Sequence, residues 1–221
     1  MRDPAAIIFD FDGVIADSEM LANRVLAEEL TRLGLPTTLE QSYARYVGTR
    51  WGEMIALIEG QLGRPVPAGW GDHLSDTMMA RFQRDLTEVP GAGAFIAGLG
   101  TRPRAIASSS SPARLALCLE VLGLGEAFGV HVFSAEMVER GKPHPDIFLL
   151  AARGIGVSPE TCLVIEDSPS GVTAAKSAGM QVIGLLAGSH IKSGHSERLR
   201  AAGADHLVPS WEEAVQLVHG G

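Results

Sequence analysis

Residues 6–19, Ala-Ile-Ile-Phe-Asp-Phe-Asp-Gly-Val-Ile-Ala-Asp-Ser-Glu, decide how the rest of the chain is read. The apolar run 6–9 has the length and composition of a buried strand, and it ends in Asp10, Asp12 and Gly13. Such a strand delivers two carboxylates to its C-terminal end, which is where open α/β sheets bind their ligands. Carboxylates that close together repel each other, so a fold that keeps both needs a cation or a shared proton. Mg²⁺ fits the need, because it takes oxygen ligands, is held by one or two carboxylates and leaves positions for water and substrate phosphate. Asp-x-Asp alone also describes an ordinary polar turn after a strand. The longer run through Asp17, Ser18 and Glu19 is far more specific.

Composition narrows the class. At 221 residues with 46% hydrophobic residues the chain can bury one good core, with room for a modest inserted domain. A net charge of −8 argues against nucleic acid or an anionic membrane surface as partner, since both require a positive field. A small anionic substrate is compatible, because a metal and a few cations override the global charge locally. Cys118 and Cys162 are too few and too far apart for a disulfide framework or a cysteine-based zinc site, which points to a reducing compartment. Arg2 is followed by Asp3 and Pro4, unlike a signal peptide, and no segment reaches the ~20 apolar residues of a membrane span. The cytoplasm is the expected location, with a monomer or small homo-oligomer as the assembly.

Outward from the first strand the pattern turns helical. Asp17 or Ser18 is placed to cap a helix over 19–33 with Leu21, Val25, Leu26, Leu30 and Leu33 on one face, stopped by Gly34. Further helices are expected near 38–46, 50–62 and 70–85, separated by Gly48 and by the Gly-Arg-Pro-Val-Pro of 63–67. No strand pattern occurs between 17 and 87, so residues 17–86 read as an all-helical insertion. Residues 86–91 form its second hinge. The remainder alternates strand and helix, which predicts a parallel sheet flanked by helices, built from 1–16 and 87–221. Strands are expected near 104–107, 130–134, 163–165 and 182–186, with a short edge strand at 206–208. Helices are expected near 91–99, 112–122, 145–153, 171–178, 194–201 and 211–218.

Three further stretches carry chemistry. In residues 105–112, Ala-Ile-Ala-Ser-Ser-Ser-Ser-Pro, a strand ends at Ser108 and Pro112 opens a helix. The Ser108 hydroxyl and the backbone N–H groups of Ser109 and Ser110 suit a phosphate cradle, while Ser111 suits a simple helix cap. In Gly141-Lys-Pro-His-Pro-Asp146, two prolines stiffen a loop bearing Lys142, one of only three lysines. His144 beside it is expected to shape the loop. In residues 163–171, Leu-Val-Ile-Glu-Asp-Ser-Pro-Ser-Gly, a second buried strand ends in two acids, Glu166 and Asp167. Two such strand ends facing one crevice provide enough carboxylate oxygen for one Mg²⁺. His190 and His195, five residues apart, do not share a helix face and read as part of a polar loop rather than a zinc site.

Taken together, these four stretches resemble, in order, the four motifs of the haloacid dehalogenase (HAD) superfamily of phosphotransferases, in the branch with β-phosphoglucomutase and sugar-phosphate phosphatases. The resemblance covers residues 10–180. It implies a Rossmann-like core with a helical cap inserted after the first strand. It implies Asp10 as nucleophile, forming an aspartyl phosphate, and Asp12 as acid and then base. Ser108, Ser109 and Lys142 would bind the phosphate. Asp10, the Asp12 carbonyl and Asp167 would hold Mg²⁺, with Glu166 reaching it directly or through water. By the same comparison dehalogenases lack the second acid and P-type ATPases replace it by Thr, so Asp12 points to a phosphate ester as substrate. β-Phosphoglucomutases carry a His three residues past the position of Glu19, where this chain has Ala22. That favours a phosphatase acting on a small sugar phosphate, with a mutase as the alternative and a non-catalytic metabolite binder as a more distant one. In the cap, Arg50 and Trp51 are the expected substrate-selecting residues, with packing inside the cap as the plainer role for Trp51.

Overall fold

The chain is described by a computed structural model over residues 3–47, 49 and 51–219. Gly48 and Arg50, expected as a helix separator and a substrate contact, lie outside the described residues. Strand β1 (Ala6–Phe9) is fully buried along its length, as its uniformly apolar side chains demand. It leads into four helices, α1 (Glu19–Arg32), α2 (Leu39–Tyr46), α3 (Trp51–Leu62) and α4 (Trp70–Asp85). From there the chain alternates: α5 (Ala92–Gly98), β2 (Arg104–Ser108), α6 (Pro112–Leu122), α7 (Gly125–Phe128), β3 (Val132–Ser134), α8 (Asp146–Gly154), β4 (Cys162–Glu166), α9 (Pro169–Ser177), β5 (Gln181–Leu185), α10 (His195–Ala202), β6 (His206–Val208) and α11 (Trp211–His219).

Two compact units result, Met1–Asp17 with Thr87–Gly221, and Ser18–Leu86. In the first, the strands form a parallel sheet of order β3-β2-β1-β4-β5-β6. This is the doubly wound order whose ligand crevice lies at the strand C-termini beside the central strand. The side chains of β1 divide between the sheet's two faces with the period of a strand. Ala6 and Ile8 pack with Phe148 and Ala151 of α8 and Val172 and Ala174 of α9. Phe9 points the other way, its ring 6.0 Å from Phe95 and Trp211 and 5.8 Å from Phe128.

The connectors to and from the helical unit lie side by side. Ala16 bridges Glu88 in antiparallel fashion, Asp17 N–H donates to the Thr87 carbonyl, and Val89 N–H donates to that of Ile15. Asp17, expected in the helical block, therefore belongs with the sheet, and its carboxylate also accepts from the backbone and hydroxyl of Ser189. The helical unit has its own core of Val25, Leu26, Leu30, Tyr46, Ile58, Trp70 and Leu74. α1 starts at Glu19 as expected, but Ser18 has helical backbone angles and makes no side-chain capping bond. The other departures are local. β3 begins two residues later than the apolar pattern suggests, because Val130 is 87% exposed and His131 N–H closes the short turn α7 on Phe128. α9 begins two residues early, at Pro169, because Ser168 caps it by accepting from Gly171 N–H.

Candidate active site

Register brings the acids together. Phe9 pairs with Ile165 of β4 and with Ile106 of β2, so the residues that follow on all three strands emerge at one edge of the sheet. Asp10 N–H donates to the Ile165 carbonyl, one residue before Glu166. The carboxylates of Asp10, Glu166 and Asp167 then converge, with one oxygen of each within 4.8 Å of the others, and all three residues are buried. Gly13 makes that approach feasible. Its φ is +78°, and a Cβ there would stand 2.0 Å from Asp167 Oδ2.

Lys142 bridges the cluster. Its Nζ donates to Asp10 Oδ1 and to Glu166 Oε1, each at 2.7 Å, and its side chain is 4% exposed. The ring of Phe148 lies 5.0 Å from the ammonium. The stiff loop that carries it is braced across its ends by Arg140, which forks onto Asp146 at 2.9 and 3.0 Å. His144 is exposed and contributes a backbone turn, donating to the Gly141 carbonyl. Burial pushes the Asp10 carboxyl well above the usual carboxylate range; Lys142 opposes the rise and the charges of Glu166 and Asp167 add to it. Burial alone would depress the Lys142 ammonium, but Asp10 and Glu166 outweigh it and hold it above the ordinary lysine value. Both directions describe one site: three carboxylates around one ammonium, short of positive charge. An all-oxygen, buried donor set with that deficit fits a hard divalent cation.

Within the trio the roles differ. Glu166 Oε2 accepts from the N–H of Asp167, the N–H of Ser168 and the Ser168 hydroxyl at 2.8–3.0 Å, which leaves Oε1, shared with Lys142, as its route to a cation. Asp167 is steadied by two histidines. His190 Nε2 lies 2.8 Å from Asp167 Oδ2, and His195 Nε2 is 2.5 Å from the Asp167 carbonyl. Burial pushes His195 below the usual imidazole range against the pull of that bond, consistent with a neutral ring that donates from Nε2 and accepts from Arg198 at Nδ1. The polar loop expected here runs to Gly194, where α10 begins, but its histidines are not solvated. Both rings are buried and both lie against Asp167.

On the other side of β1, Ser108 ends β2 fully buried, and its hydroxyl accepts from Ser110 N–H at 3.1 Å. The Ser110 amide, expected in the cradle, is therefore turned inward, and Ser109 is the exposed residue of the turn. Ser111 caps α6, accepting from Arg114 N–H. The Asp12 carboxylate stands outside the trio, accepting from the Ser110 hydroxyl at 2.6 Å and from Arg114 Nη2 at 2.5 Å. In the helical unit Trp51 is 52% exposed and stacks on Trp70, with ring centroids 6.4 Å apart.

A parallel sheet of this order, with a buried carboxylate cluster and a bridging lysine at its C-terminal edge, defines an α/β enzyme of the phosphoryl-transfer kind. Residues 4–179 match the family model of haloacid dehalogenase-like hydrolases, and the chain belongs to that family. Among curated relatives, 6-phosphogluconate phosphatase of Escherichia coli is 27% identical over 85% of both chains. Fructose-1-phosphate phosphatase of the same organism is 31% identical over 81% of this chain and 95% of its own. Among solved structures, a HAD family hydrolase from Deinococcus radiodurans with bound phosphate and sodium superposes with a TM-score of 0.83 at 32% identity, covering 100% of this chain and 97% of the other.

Proposed function

We propose that this hydrolase is a Mg²⁺-dependent phosphatase that releases inorganic phosphate from a small phosphomonoester, of the sugar-phosphate class, through an aspartyl phosphate on Asp10. The observation that carries the reading is the placement of Asp10: a buried carboxylate at the end of the central strand, held by Lys142 inside a trio of acids, with a second acid, Asp12, kept separate from it. Phosphoryl transfer asks for an in-line nucleophile, neutralisation of the phosphate oxygens and a proton for the leaving alcohol. Asp10 attacks phosphorus, dividing one hard displacement into two. Lys142, the Ser108 hydroxyl and the exposed Ser109 amide hold the non-bridging oxygens. Asp12 protonates the departing alkoxide, then takes a proton from the water that opens the acyl phosphate. A Mg²⁺ held by Asp10, the Asp12 carbonyl and Asp167, with Glu166 at its edge, would supply charge neutralisation between the nucleophile and the phosphate. The sugar-phosphate class is supported by the names of the relatives. The helical unit, inserted straight after the strand that bears the nucleophile, is the element that selects the alcohol portion of the substrate.

The test is phosphate release from a panel of sugar phosphates with Mg²⁺ and with a chelator, using Asp10→Asn as the blank. Metal-dependent release that vanishes in a folded Asp10→Asn protein is the expected result. Wild-type rates from that variant would end the mechanism. Conversion of β-glucose 1-phosphate to glucose 6-phosphate with little free phosphate would make the chain a mutase despite Ala22.

A further inference from the structure

Asp12 is only two residues from Asp10, and beyond it the backbone turns sharply: Ile15 and Ala16 both donate to the Phe11 carbonyl, and Gly13 N–H donates to Ala16. The strand therefore does not dictate where this carboxylate points. A flexible acid beside a cation site is drawn onto the cation, and a carboxylate that ligates a metal is a poor carrier of a proton. Something has to hold Asp12 aside. Each of its oxygens is engaged by a different residue, Oδ2 by the Ser110 hydroxyl and Oδ1 by Arg114 Nη2. These contacts are part-buried, with the Asp12 and Arg114 side chains 14% and 22% exposed, so charge-assisted bonds here are stronger than at an open surface.

Both holders are themselves fixed. Ser110 is tied to β2 through its N–H on the Ser108 hydroxyl, and to β3 through its carbonyl, which accepts from the Ser134 hydroxyl at 2.7 Å. Arg114 sits in the first turn of α6, its N–H on the capping Ser111, and the buried Cys118 lies one turn further along the same helix. A cation reaching the site from this helix has no part in holding phosphate in the scheme above. Its nearest described partner in the site is Asp12.

We infer that Arg114, seconded by Ser110, is a positioning residue that holds the Asp12 carboxylate clear of the Asp10–Glu166–Asp167 cluster and aims it for proton transfer. The inference rests on the reading of Asp12 as acid and base. A general acid contributes about 10²–10⁴-fold, and the contribution is concentrated on substrates whose leaving group needs a proton. Arg114→Met should then lower kcat on a sugar phosphate roughly 10–100-fold with KM nearly unchanged, yet alter the pre-steady-state burst of 2,4-dinitrophenolate from 2,4-dinitrophenyl phosphate, a first step that needs no proton, by less than about threefold. Arg114→Lys should restore part of the loss, and Ser110→Ala should show the same pattern more weakly.

The deciding measurement places Arg114→Met in wild-type and Asp12→Asn backgrounds, reading both substrates and Mg²⁺ affinity by calorimetry. The effects on the sugar phosphate and on Mg²⁺ affinity, which should rise a few-fold when Asp12 is released, should both disappear once Asp12 is Asn. Equal losses in sugar-phosphate turnover and in the dinitrophenolate burst, or effects that persist in the Asp12→Asn background, would overturn the inference. If the wild type hydrolyses no phosphomonoester, the functional reading fails separately. The Mg²⁺ shift and its dependence on Asp12 then decide whether Arg114 holds that carboxylate aside. Its absence would overturn the positioning role as well.

Discussion

Lys142 concentrates the electrostatics of the site in one side chain. It is buried between Asp10 and Glu166, so its removal leaves desolvated carboxylates facing each other without the ammonium that bridges them. Removing one partner of a buried pair typically costs about 3–5 kcal/mol. Lys142→Met should lose that much stability in urea melts run with a chelator, and should lose turnover as well. A variant as stable as wild type would show that the acids are protonated and do not need the lysine. Lys142, Asp10 and Asp167 were legible as neighbours in one crevice from their positions at strand ends and on a stiff loop. His190 and Arg114 were not, because each meets its partner only after folding. Arg114 reaches Asp12 across 102 positions of sequence, and nothing in the local pattern of α6 distinguishes it from a solvated arginine.

At the scale of elements, the first turn of α9 is fitted around Glu166. A Cβ at Gly171 would stand 1.5 Å from Glu166 Oε1, so Gly171→Ala has to push that carboxylate off the amides of Asp167 and Ser168 and off Lys142. A buried charge left short of donors costs about 1–3 kcal/mol or more; the denaturation midpoint and the turnover should fall together. Gly60 in α3 is the contrast. It is exposed with open space around it, and Gly60→Ala should stabilise the helical unit by up to about 1 kcal/mol while leaving phosphate release unchanged. Strands and helices of this chain were readable where an apolar run or a 3.6-residue stripe continued for a full element. The one-turn α7, four residues that open on Gly125 and stop at Gly129, offers no period to read, which is why the pattern gives β3 two residues too many.

For the whole molecule, the charge deficit of the site becomes a term in global stability. A cation that binds the folded trio and not the unfolded chain stabilises by mass action, about 2.7 kcal/mol at a hundredfold excess over Kd. For a chain of this size that is a rise in Tm of roughly 5–10 °C on adding Mg²⁺. Asp167→Asn should remove most of the rise; an unchanged melting curve in the wild type would mean that the trio holds no divalent ion. Among the described residues no helix is long and apolar enough to cross a membrane, and the buried thiols of Cys118 and Cys162, both pushed up to about 11 chiefly by burial, are poor nucleophiles at neutral pH.

The paired connectors at 15–17 and 87–89 bear on how such a chain diversifies. Where a segment leaves and re-enters a domain at neighbouring points, the domain registers its length only through loop-closure entropy, roughly 0.6 kcal/mol for each doubling. Sequence between the two connectors is therefore free to lengthen, shorten or be exchanged wholesale while the register of every strand stays as it is. The strand ends that carry the acids and the helices between the connectors are separately editable stretches of one gene.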